Sequence, residues 1–179
     1  PETPYAISKY ASMKVCEYYR NVKNIFACSG ILYNHESSLR ANSFVSKKIV
    51  STVARILLNK EEKLVLGSLD SKVDWGYAPD YVEAMRLILS INTPDDYIIS
   101  SGKARTIREF VKIAFEYVNL DYNDYVVVEG DILGRENGSR IGSPKFLKSR
   151  TGWEPTKTFS EMIHLMVDYE IEEINGSTY

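Results

Sequence analysis

Apolar residues recur at helical spacing in several stretches of the chain, and short, nearly continuous apolar runs lie between them. Thr3 can cap a helix that has Pro4 at its first position, where the missing N–H is harmless, and the pattern then predicts helix from Tyr5 to about Arg20. The run IFACSGILYN that follows reads as a strand buried on both faces, which implies a parallel sheet. Phe44, Ile49, Val53 and Ile56 or Leu57 mark a helix within Ser43 to Asn59, and LVLG at Leu64 to Gly67 reads as a short strand with a glycine stop. VDWGYAPDYVEAMRLILSI predicts a loop or short strand leading into a helix from about Pro79 to Ile91, and YIISSG another buried strand. Thr106 with Glu109, and Thr158 with Glu161, fit the T-x-x-E capping box and open two more amphipathic helices. DYVVVEG, Asp124 to Gly130, is a strand, and Gly134 to Pro144 is a loop with three glycines, a proline and two arginines. There is no internal repeat, and the alternation of helices with short apolar strands predicts α/β architecture with crossovers.

With 179 residues, 44% of them hydrophobic, the chain can bury a core of about one domain. Lys and Arg total 22 against 24 Asp and Glu, a net charge of -2, which argues against nucleic acid or an anionic membrane surface as partner. No apolar run approaches the roughly 20 residues that span a bilayer. Cys16 and Cys28 lie in apolar surroundings without CxxC spacing, so buried thiols in the cytoplasm are expected, and His35 and His164 form no metal-ligand set. Trp75 and Trp153 are expected as core or loop anchors, and Lys47 and Lys48 on a solvated helix face. The opening PETPYAISK, with a helix ahead of any strand, is expected to be the start of the C-terminal part of a longer protein.

Tyr5 and Lys9 stand four residues apart in the first predicted helix, about 6 Å of rise along one face, so phenol and ammonium can meet. A cation beside a phenol favours the phenolate, which can then take a proton from a sugar hydroxyl. The same spacing recurs at Tyr10 with Lys14 and at Tyr19 with Lys23. Tyr10 points roughly 140° away from Tyr5, and Tyr19 returns to that face roughly 21 Å further along the axis, so one pair alone can serve a single site. Tyr5 has the first-turn position and small neighbours, Ala6 and Ser8, but spacing leaves the choice open.

PYAISK, FACSGILYNHES, FVSKKI, LVLGSLDSKVDWGYAPDYVEAM, RTIREFV and TGWEP, in this order and spacing, resemble the C-terminal two-thirds of the GDP-mannose 4,6-dehydratases, which are extended short-chain dehydrogenase/reductases. The resemblance implies the end of a Rossmann-type parallel sheet plus a small α/β substrate-binding domain. Residues 1–35 would close the Rossmann-type part, 36–179 would form mainly the substrate domain, and 74–101 would return to the Rossmann-type sheet. It implies Tyr5 as catalytic base, with Lys9 tuning it and holding the nicotinamide ribose; His35 and Arg40 as NADP contacts; and Asn34, Val45, Lys48 and Arg135 in the GDP-sugar site. A homo-oligomer, dimer or tetramer, is implied as well.

The chemistry so implied is an internal redox cycle. Tyr5 takes the O4 proton while a hydride leaves C4 for NADP; a carboxylate removes the C5 proton, water leaves C6, and the hydride returns to C6, giving a 4-keto-6-deoxy sugar. The family's carboxylate belongs to a Ser/Thr-x-Glu motif that this sequence lacks, and Glu2 is too near Tyr5 to replace it. The glycine-rich phosphate turn is also missing. Two departures touch the substrate: Val73 stands where the family has an arginine, with Lys72 beside it expected to face the other way, and NHESSLRA replaces NHESPRRG. A reductase or epimerase of the same superfamily, and a non-catalytic oligomerisation or regulatory domain, are the alternative readings.

Overall fold

The computed structural model describes residues 1–130 and 141–176. Helix α1 (Pro4–Lys23) leads to strands β1 (Ser29–Leu32) and β2 (Asn34–Glu36), helix α2 (Val45–Leu57), strands β3 (Leu64–Leu66) and β4 (Lys72–Tyr77), and helix α3 (Ala78–Ile88). Then come β5 (Asp96–Ile99), β6 (Ala104–Thr106), α4 (Ile107–Tyr117), the single turn α5 (Tyr122–Tyr125), β7 (Val126–Val128), α6 (Lys145–Thr151) and α7 (Phe159–Gly176). β1 pairs in parallel with β5, β2 with β4, and β3 with β7, while β6 joins β4 antiparallel. The α/β class read from the sequence is therefore the one observed.

Two cores organise these layers. Helices α2, α4 and α7 bury one side each against β3 and Trp75, with Ile49, Val53, Phe110, Phe115 and Met166 fully enclosed. The smaller core joins α3 to β5 and α6 through Tyr81, Tyr97, Leu147 and Trp153. Both tryptophans are anchors, and Trp153 donates from Nε1 to the Asp80 carbonyl at 2.9 Å. Each predicted capping box forms: Thr106 Oγ1 accepts the Glu109 N–H at 3.0 Å, and Thr158 Oγ1 accepts that of Glu161 at 3.2 Å.

Several expectations are corrected. The run read as one strand buried on both faces splits into β1 and β2, and Ile31 and Leu32 are exposed. Among the described residues β1 has one strand neighbour, so the chain supplies less cover than that apolar pattern calls for. Helix α1 likewise has no buried residue. It runs past Arg20, whose guanidinium bonds the Ala27 carbonyl and Asp96, and it ends at Asn24 in the left-handed conformation (φ 52). Lys47 is not solvated: it is buried and ion-paired with Glu170 of α7, whereas Lys48 is exposed. The two thiols are half-buried and free. β6, α5 and α6 went unread, and part of the loop from Gly134 to Pro144 lies outside the described residues. Among the described residues no helix is long and apolar enough to cross a membrane.

Candidate active site

The N-terminus of α1 is set by local chemistry. Thr3 Oγ1 accepts the Ala6 N–H at 3.1 Å and Pro4 supplies the first helical φ, so Tyr5 is held in the first turn, 72% exposed. One turn on, Lys9 Nζ lies 5.6 Å from the centre of the Tyr5 ring. The pair fronts an open cleft of about 930 Å³ whose opposite wall is Gly30 to His35, with Arg40 and Phe44 closing one side.

Lys14 approaches Tyr10 equally, 5.7 Å from the ring centre, but its ammonium bonds Glu17 Oε2 at 2.6 Å. The cleft takes a broad face of α1, and Tyr10 is among its lining residues, so an angular offset of about 140° does not exclude it. What Tyr10 lacks is a lysine in the cleft, since Lys14 is not among the lining residues. Tyr19 lies outside the lining and packs edge-on against Tyr18.

β2 carries Asn34 and His35 into the cleft, opposite Trp75 and Gly76 of β4. His35 Nδ1 sits 2.8 Å from the Tyr33 carbonyl. A carbonyl only accepts, so Nδ1 carries the hydrogen of this contact and donates it. Behind it the Tyr81 ring lies 5.2 Å away, in space that exists because Gly76 has no side chain: a Cβ there would come within 2.3 Å of that ring. Burial and the nearby Asp74 push the Tyr81 hydroxyl above its ordinary range, and the ring backs His35 from outside the cleft lining.

Of the residues proposed from the sequence, Tyr5, Lys9, Asn34, His35 and Arg40 meet in this cleft. Val45 and Lys48 do not line it: Val45 packs on the main core, and Lys48 Nζ donates to the Val65 carbonyl at 2.7 Å. Arg135 lies outside the described residues. In β4, Val73 packs on the core while Lys72 is exposed on the alternate face, so neither offers a cation to the cleft.

Asp74 was missed. It is 1% exposed and accepts from Ser101 N–H (2.9 Å), Ser101 Oγ (2.5 Å), Gly102 N–H (3.2 Å) and Gly142 N–H (3.1 Å). It thereby holds Gly142 against Ser100 and Tyr33, where a Cβ on Gly142 would lie 2.8 Å from the Tyr33 ring that lines the cleft. An acid among apolar strand residues was the available signal.

The α/β fold with parallel strand pairs, here carrying a Tyr-x-x-x-Lys pair in its cleft, recurs in solved structures of nucleotide-sugar enzymes. The solved structure of RMD from Pseudomonas aeruginosa complexed with NADPH superposes on it with a TM-score of 0.86 at 22% identity, covering 96% of this chain and 57% of that one. A dTDP-glucose 4,6-dehydratase from Bacillus anthracis in complex with NAD gives 0.80 at 20% identity, over 100% of this chain and 55% of that one. The family model described as GDP-mannose 4,6 dehydratase matches residues 1–166. The chain belongs to the GDP-mannose 4,6-dehydratase family. It is 38% identical over 173 residues to GDP-mannose 4,6 dehydratase 2 of Arabidopsis thaliana, a match covering 96% of this chain and 46% of that protein. The chain spans about half the length of the curated relatives it matches.

Proposed function

We propose that this chain is the C-terminal part of a nucleotide-sugar 4,6-dehydratase that converts GDP-mannose, or a closely related GDP-sugar, to the 4-keto-6-deoxy product with NADP. The observation that carries this reading is the meeting of Tyr5, Lys9, Asn34, His35 and Arg40 in one cleft. In this proposal residues 1–35 belong to the Rossmann-type side, 36–179 mainly to the sugar-nucleotide side, and 74–101 return to the Rossmann-type sheet. A cytoplasmic homo-oligomer is part of the same proposal.

The donors present fit one side of a phosphorylated dinucleotide: an ammonium, an imidazole and a guanidinium share the cleft, though no glycine-rich turn accompanies them. When bound, NADP supplies the hydride acceptor for C4 and the donor for C6. This chain's own contribution is to the proton. Tyr5 Oη, as phenolate, accepts the O4 proton as C4 becomes a carbonyl; the Lys9 charge one turn away stabilises the negative charge of that phenolate and offers donors to a ribose. The exposed first turn, flanked by Ala6 and Ser8, lets a sugar reach that oxygen. The C5 proton and the C6 leaving group are handled by a carboxylate outside this sequence.

The guanine assignment is tested by hydrogen exchange. GDP is expected to slow exchange in β2 and the first turns of α2, the region of Asn34, Val45 and Lys48, and dTDP to leave it unchanged. Equal protection by both nucleotides removes that assignment.

A further inference from the structure

Glu36 ends β2 and is 1% exposed, yet it does not line the cleft. Its Oε2 accepts from Ser46 Oγ at 2.6 Å and lies 3.1 Å from Arg40 Nε. Arg40 in turn lies flat on Phe44, its Cζ 3.4 Å from the ring centre, and both of these residues do line the cleft. The loop between them and β2 is staked from the other side, because Lys47 Nζ donates to the Ser38 carbonyl at 2.8 Å while paired with Glu170. The Arg40 Nε contact is an ion pair short of hydrogen-bond geometry, and among the described residues Nη1 and Nη2 make no hydrogen bond either, so a guanidinium held at one edge by charge and on one face by a ring keeps its terminal nitrogens for something else.

We propose that Glu36 is a positioning residue: gripped by Ser46, it fixes Arg40 on Phe44 so that the two terminal nitrogens present a planar fork to a phosphate oxyanion in the cleft. A phosphate matches that fork with two parallel N–H···O bonds, and a fork already ordered loses little rotamer freedom on binding. Burial pushes the Glu36 carboxyl up, with Ser46 and Arg40 pulling it back. That the oxyanion belongs to a nucleotide rests on the function proposed above; the clamp itself does not.

Arginine side-chain NMR on the 179-residue chain reads the clamp directly. In the wild type, Arg40 should show a sharp Nε–H signal with slow rotation about Nε–Cζ, shifted on adding inorganic pyrophosphate. Glu36→Gln, which still accepts from Ser46, should average these signals and weaken pyrophosphate binding about tenfold, the scale of one charge-assisted hydrogen bond. In an Arg40→Ala background the same change should have no further effect, whereas a merely structural role would add its loss to that of Arg40→Ala. Parallel titrations with GDP and NADPH identify which nucleotide's phosphate is taken. Unchanged Arg40 signals in Glu36→Gln, or no response of Arg40 to any of the three anions, overturns the proposal. A fork that binds pyrophosphate in a protein giving no product from GDP-mannose would instead leave the clamp standing and remove the dehydratase reading.

Discussion

Tyr5→Phe in the complete enzyme is expected to be nearly inactive, with Tyr10→Phe and Tyr19→Phe keeping most of their turnover. All three tyrosines have a lysine four residues on, so spacing gives them equal claims. The structure separates them by what surrounds each pair. Lys14 pairs with Glu17 and does not line the cleft, Tyr19 stands outside it, and Tyr5 alone has its lysine in the cleft wall beside it. Losing a positioned general base costs about 10²- to 10⁴-fold in rate, roughly 3 to 5 kcal/mol of barrier. Losing an exposed phenol hydroxyl from a helix surface costs about 1 kcal/mol or less, and in stability. Steady-state turnover of the three variants decides the matter: Tyr5→Phe retaining more than about a tenth of wild-type activity, or Tyr10→Phe being the dead variant, would reassign the base.

The largest loss of stability is expected from Asp74→Ala. The substitution strips the acceptor from three backbone N–H groups and one hydroxyl at a position with no room for bulk water. Buried donors left without partners, together with broken bonds to a carboxylate, should lower the unfolding free energy by about 3 to 5 kcal/mol, a drop of roughly 10 °C in Tm for a chain of this length. Asp74→Asn keeps one acceptor oxygen and should fall between. Urea unfolding monitored by Trp75 and Trp153 fluorescence reads the change, and a loss below about 1 kcal/mol would show that these donors find water instead.

The parts of the fold legible in the sequence were those written in local chemistry. The Thr3–Pro4 start of α1 and the two T-x-x-E boxes appear where their side chains put them, since a cap needs only residues three positions apart. What stayed hidden depends on partners distant in the chain. Lys47 reads as a surface lysine until Glu170, more than a hundred positions later, is brought beside it. Glu36 and Asp74 read as ordinary acids because the groups that satisfy them sit on other elements. The apolar run into β1 shows the converse: its composition was read correctly as apolar, but burial is a property of what packs on a strand, and here Ile31 and Leu32 remain uncovered. For the site, helical geometry put Tyr5 and Lys9 together, whereas the width of the cleft, which admits Tyr10, was a tertiary fact.

The central claim is that the cleft beside Tyr5 serves an internal 4,6-dehydration, and the fate of the C4 hydrogen tests it most directly. GDP-mannose deuterated at C4 would be turned over by the complete enzyme with NADP and the product examined by NMR. A 4-keto-6-deoxy sugar carrying the deuterium at C6 is expected, because the hydride removed at one carbon returns to the other. A product that keeps its C6 hydroxyl, as an epimerase or a simple reductase would give, or a deoxy product whose deuterium has gone to solvent, would contradict it.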